Sequence, residues 1–148
     1  MQIKTKYFGE MNIEQEQMIY FPHGLPGFQD EKEFVVLNFE ENGLFNVLQS
    51  TRAMDPAFIV IDPFLFVKNF EIDINQATID QLEINKKEEV IVLSIVTVKE
   101  PLKLSTANLN APLVINQSKK IGKQYIISGS IYSTREQIFT KTSRKEGE

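Results

Sequence analysis

The run Val90-Ile91-Val92-Leu93-Ser94-Ile95-Val96-Thr97-Val98 decides how this chain folds. Alternate side chains of a strand point to opposite faces, and here both faces are apolar. The strand it predicts, Val90–Lys99, is therefore central and is the principal core element.

Outward from it, short runs rich in β-branched and aromatic residues recur between clusters of Gly, Pro, Asn and charged residues, the pattern of many short strands. They are Gln2–Phe8, Met18–Phe21, Glu33–Asn38, Phe45–Thr51, Phe58–Asp62, Leu113–Asn116 and Gln124–Ser128. In Gln2–Phe8 the residues Ile3, Thr5 and Tyr7 fall on one face and Lys4 and Lys6 on the other, so one side is wet. Asn75–Leu82 is the exception: Asn75 can cap a first turn, and Ile79 and Leu82 share a side, which predicts one short helix. So many strands expose sheet edges unless the sheet curls. The predicted fold class is all-β, a single domain with one short helix, built as a small barrel or a tightly coiled sandwich.

A chain of 148 residues has the length of one domain and buries about 70% of the surface its unfolded form exposes. Residues 1–140 are read as that domain, and 141–148 as a basic, solvated and disordered tail. With no cysteine there is no disulfide framework, no cysteine nucleophile and no thiolate metal site, which suits a reducing compartment. Nothing in the sequence resembles a secretion signal or an apolar span of about 20 residues, so a cytoplasmic location and no membrane contact are expected. The charge is uneven: residues 1–116 carry 17 acids against 9 bases, residues 117–148 carry 3 against 7. An acidic body repels phosphates, which disfavours direct nucleic-acid binding.

His23 is the one histidine, and no nucleophile-elbow pattern or placed carboxylate accompanies it, so no catalytic residue is assigned. Its surroundings, Phe21-Pro22-His23-Gly24-Leu25-Pro26-Gly27-Phe28, lack the spacing and the Lys-Ser/Thr ending of a phosphate-binding loop. They suit a type II turn instead, with Pro26 fixing φ and Gly27 supplying positive φ. Leu25 and Phe28 flank that turn, either folded beneath it as core or exposed as a rigid knob.

Phe64-Leu65-Phe66 and Phe70 have only Lys68 nearby, so packing or a protein interface is favoured over base stacking. Glu71/Asp73 and Glu88/Glu89 lack calcium-loop spacing and read as solvated like charges, so no metal and no cofactor are predicted. No polar groups converge as a small-molecule site would require. Ser105–Pro112 reads as a structured loop whose Asn and Thr side chains either close local turns or offer hydrogen bonds to a partner.

Taken together, several segments resemble the flagellar assembly factor FliW family from about Ile3 to Phe139. Phe21–Phe28 matches the family signature F-x-x-G-L-P-G-F. Leu48-Gln49-Ser50, Phe58 through Asp62-Pro63, Thr106–Pro112 with Leu113–Asn116, and then Tyr132 and Arg135 follow in order. The chain departs from the family where Asn69-Phe70 replaces a frequent Asp-Tyr pair, and the basic tail matches no family pattern.

The resemblance implies a small antiparallel β-barrel-like single domain, in agreement with the strand count, and no enzyme. It implies two protein partners: the carbon storage regulator CsrA, an RNA-binding repressor of flagellin translation, and flagellin itself. FliW proteins lower the affinity of CsrA for RNA, and accumulated flagellin takes FliW away. The contact residues expected here are His23, Leu25, Pro26 and Phe28 of the turn, with Asn108 and Asn110 second. The rival readings are a flagellin-binding chaperone alone, or a small RNA- or ligand-binding barrel.

Overall fold

The computed structural model describes residues 1–39, 43–127, 129 and 131–139; the tail at 141–148 lies outside them. Its strands are β1 (Gln2–Thr5), β2 (Gly9–Asn12), β3 (Ile19–Tyr20), β4 (Glu33–Asn38), β5 (Asn46–Ser50), β6 (Ala57–Ile61), β7 (Val90–Thr97), β8 (Thr106–Ala107), β9 (Leu113–Asn116), β10 (Ile121–Gln124) and β11 (Glu136–Gln137). Two short helices, α1 (Pro63–Phe66) and α2 (Gln76–Gln81), complete the elements used below.

Strands β7, β6, β5, β4, β3, β10 and β9 pair in that order, and β9 pairs back onto β7, closing a seven-strand barrel. Directions cannot alternate perfectly around an odd ring. The parallel seam falls at β10–β3, where Ile121 lies opposite Tyr20; the other pairings around the ring are antiparallel, as expected. Closure removes the outer edges of the sheet, the usual solution for a small sheet protein, although β6 pairs with β7 only at Ser94 and Ile95.

Inside the barrel Phe21, Leu25, Phe34, Leu48, Val60, Leu93, Leu113 and Ile115 form one core, with Ile91 and Ile95 against it. The opposite faces of the same strands are covered as well. The β1–β2 hairpin brings Ile3 and Ile13 onto Val35, Leu37 and Val47. Ile61, Val92 and Val96 pack with Phe70, Leu109 and Ile138, and Leu82 and Tyr125 pack on Val114. This double covering is the reason for the unbroken apolar run in β7.

Two fully buried side-chain amides pin the loops. Gln49 Nε2 donates to the carbonyls of Ser50, Ala53 and Met54 at 3.1, 3.0 and 3.1 Å, and its Oε1 accepts from the Lys6 N–H at 3.0 Å. Asn116 Nδ2 donates to the Leu82 and Glu83 carbonyls at 2.8 and 3.2 Å, while its Oδ1 accepts from the Ser118 and Lys119 N–H groups at 3.0 and 3.2 Å. Backbone groups outside the ladders must find partners when buried, and these amides supply them.

Several sequence expectations need correction. Gln2–Phe8 is not one strand: it breaks after Thr5, whose hydroxyl accepts from the Phe8 N–H at 2.8 Å and donates to the Gly9 carbonyl at 2.7 Å, and the chain doubles back into β2. The last barrel strand is Ile121–Gln124 rather than Gln124–Ser128. There Gly122 lets β10 press against Phe21; a Cβ would lie 2.9 Å from the Phe21 ring. Tyr125 and Ile127 instead donate their N–H groups to the carbonyls of Pro112 and Asn110, at 2.8 and 2.9 Å, and Ser128 lies outside the described residues.

Among the described residues there are two short helices, not one. Besides α2, capped by Asn75 as expected, Asp62 accepts from the Phe64 N–H at 2.9 Å with Pro63 in the first turn, and this starts α1. Thr106–Ala107, read as loop, joins the β7 edge as β8, and β11 adds to it.

Candidate functional site

The segment after β3 forms the type II turn that its sequence predicts. The Phe28 N–H donates to the Leu25 carbonyl at 2.8 Å, the Leu25 N–H returns to the Phe28 carbonyl at 3.3 Å, and Gly27 has φ of +79°. Gly24 is required for a second reason: a Cβ there would lie 2.5 Å from the carbonyl oxygen of Gln29.

The two flanking residues separate. Leu25 points into the barrel and is 2% exposed, so its side chain is corrected from a surface contact to part of the core beneath the turn. Phe28 stays 41% exposed and meets Phe58 edge to face at 5.8 Å between ring centroids. Pro26 and His23 are exposed beside it. The turn is thus a knob fastened from below, with an aromatic ring whose orientation is held by another ring.

A small cleft of about 190 Å³ lies against the turn, lined by His23, Gly24, Leu25, Pro26, Gln29, Lys123 and Gln124. Gln124 connects the two predicted segments, because its Nε2 donates to the Ala111 carbonyl at 3.2 Å. Within the 108–112 loop Asn108 Oδ1 accepts from the Ala111 N–H at 3.0 Å, and the Asn108 N–H donates to the Ile95 carbonyl at 3.0 Å. Asn108 therefore closes a local turn. Asn110 engages through its backbone carbonyl, which accepts from Ile127. Gln29, Lys123 and Gln124 were not singled out by the sequence; Gln29 simply follows the turn, whereas the place of Lys123 and Gln124 beside it depends on the β3–β10 seam, which leaves no local pattern.

Acidic groups follow the turn directly. Glu31 accepts from the Ser50 hydroxyl at 3.0 Å, and Glu33 pairs with Arg52 at 3.2 Å, an exposed pair that adds little stability. With Asp30, Tyr20 and Lys32 they line a cleft of about 380 Å³. That cleft sets three carboxylates against Lys32 and Arg52, while Lys123 lines the smaller cleft at the turn.

Elsewhere, the carboxyl of Glu89 is held below the ordinary glutamate range. The Asn85 N–H, donating to Oε1 at 2.8 Å, does most of this; desolvation opposes it, and the Lys86 N–H at 3.0 Å, the Ser118 hydroxyl and the Lys86 charge assist. Among the described residues no group of three or more His, Cys, Asp and Glu side chains could hold a metal ion, and no helix is long and apolar enough to cross a membrane.

Comparison with known proteins places this geometry. The model of the FliW protein family matches residues 2–138. The flagellar assembly factor FliW of Bacillus licheniformis is 47% identical over 138 residues, covering 93% of this chain and 96% of that protein. The FliW of Oceanobacillus iheyensis is 42% identical over 148 residues, the whole length of both. A crystal structure of the flagellar assembly factor FliW superposes with a TM-score of 0.89 at 38% identity, covering 95% of this chain and 99% of the other.

Proposed function

The chain belongs to the FliW family of flagellar assembly factors, and from that premise we propose that it is a non-enzymatic, cytoplasmic regulator of flagellin synthesis. It binds the translational repressor CsrA, lowers the affinity of CsrA for RNA, and is sequestered in turn by flagellin. The observation that carries this reading is the knob itself: an exposed Phe28, fixed by Phe58 and by the buried Leu25, with Asp30, Glu31 and Glu33 next in the chain.

Rigid aromatic residues at the centre of a contact commonly supply most of its binding energy, because little conformational freedom is lost when they dock. The surrounding acids set the effect on RNA. A negative body held beside a basic RNA-binding surface repels phosphates without occupying the base-reading site. His23, Pro26, Phe28, Asn108 and Asn110 are the proposed contact residues, and Leu25 supports them from below. If flagellin and CsrA exclude one another, each weakens the binding of the other by the same factor.

The test is isothermal titration of the chain with CsrA, with flagellin, and with CsrA after saturation by flagellin. Binding to each, with the second blocked by the first, is the expected result; binding to flagellin alone would leave a chaperone, and binding to neither would remove the proposal. Phe28→Ala should weaken a partner by at least about tenfold with the fold intact, whereas Leu25→Ala should cost about 2–4 kcal/mol of stability.

A further inference from the structure

Phe70–Asn75 crosses the outside of the barrel without belonging to any strand, and its exposure alternates as in an extended chain: Glu71, Asp73 and Asn75 are exposed, Ile72 and Ile74 half-buried. The Tyr132 hydroxyl accepts from the Glu71 N–H at 3.0 Å and donates to the Asn69 carbonyl at 3.4 Å. The Tyr125 hydroxyl accepts from the Asn75 N–H at 3.0 Å and donates to the Asp73 carbonyl at 2.7 Å. Successive residues of an extended chain present their backbone groups to opposite edges. The tyrosines therefore hold the edge formed by residues 69, 71, 73 and 75, and Ile72 and Ile74 address the other edge. Among the described residues, neither the N–H nor the carbonyl group of Ile72 or Ile74 makes a hydrogen bond.

That open edge borders a cleft of about 410 Å³, within the range of about 300–1,000 Å³ usual for binding sites. Its far wall is the first half of β7. β6 pairs with β7 only at Ile95 and Ser94 before turning into α1, so Val90–Val92 has no strand on that side. Phe64, Ile72, Ile74, Val90 and Val92 give the cleft an apolar lining, with Asp62 and Lys87 as its charged groups. Glu71 and Asp73 stand exposed on the outer face of the open segment, and neither has an ion-pair partner among the described residues.

We propose that this cleft receives an extended peptide segment of a partner protein, which adds as a strand to the Ile72–Ile74 edge. The chemistry of the segment follows from the alternation. Its inward residues lie over Phe64, Val90 and Val92 and are apolar; its outward residues stand beside Glu71 and Asp73 and are basic, since opposite charges across neighbouring strands attract. The site uses none of the residues of the His23–Phe28 knob, so it stands or falls separately from the reading above.

The probe is the synthetic peptide acetyl-Lys-Val-Lys-Val-Lys-Val-Lys-amide, titrated into the isotope-labelled full chain and followed by amide shifts. Saturable binding is expected, with the largest shifts at Ile72, Ile74 and Val92. Affinity should fall at least about tenfold when the valine amides are N-methylated, which removes backbone donors, or when glutamate replaces lysine. The exposed double substitution Glu71→Lys with Asp73→Lys should weaken the lysine peptide equally and leave the melting temperature unchanged. Equal binding of the N-methylated peptide would overturn strand addition. Shifts centred on His23–Phe28, or no saturation at millimolar peptide, would overturn the site.

Discussion

The corners pinned by Gln49 and Asn116 and the open segment Phe70–Ile74 deal with backbone outside the ladders in opposite ways. At the corners each backbone group in reach is bonded by a fully buried side-chain amide. Along the open segment two tyrosine hydroxyls hold one edge, and the other is left bare beside an apolar cleft. Unmet backbone groups are costly where water cannot reach and useful where a partner strand can. The contrast separates loops that the fold must fix from a stretch that the fold leaves available.

The sharpest way to break that contrast is Gln49→Leu, which strips partners from three carbonyls and one N–H at once; chemical denaturation should report a loss of about 3–5 kcal/mol. Asn116→Ala should cost less, about 2–3 kcal/mol, because water can reach the Ser118 and Lys119 amides once the side chain is gone. Native-state hydrogen exchange compares the two regions directly. The Ser118 and Lys119 amides should exchange at least about tenfold more slowly than those of Ile72 and Ile74, and equal rates would mean that the open edge is covered.

A smaller effect is expected at Glu89, whose carboxyl does the work of a pinning amide by accepting the Asn85 and Lys86 N–H groups. Its lowered pKa stabilises the fold above the ordinary glutamate range, and that contribution is lost as pH falls through the lowered value. In urea melts from about pH 7 to about pH 3, Glu89→Gln should flatten the acid-side decline. Smallest is Ser94, fully buried in β7 with an Oγ that has no hydrogen-bond partner. Ser94→Ala should change stability by less than about 1 kcal/mol, in the stabilising direction, because no bond is lost and a desolvated hydroxyl is removed.

Where local pattern and tertiary role coincide, the sequence was legible. β4 and β9 run over Glu33–Asn38 and Leu113–Asn116 as predicted, since each is a β-branched run ended by polar residues. Asn75 caps α2 because its side chain can reach the Thr78 N–H wherever the helix packs. The turn at Pro26-Gly27 is equally local. The strands β2, β8 and β11 went unread: they have two to four residues each, β2 shows no apolar alternation, and β8 and β11 exist because an edge stands beside them.

By itself, then, the sequence determined the all-β class, the central place of Val90–Thr97, the type II turn and the resemblance to the FliW family, because each is read from short runs of neighbouring residues and their order along the chain. Only the tertiary structure decided that Leu25 goes inward while Phe28 stays out, that seven strands close through a parallel seam, and that Ile72 and Ile74 keep a free edge. Those outcomes depend on which distant segment occupies the neighbouring space. Backbone pairing and burial are properties of the assembled surface, and no local run of residues encodes them.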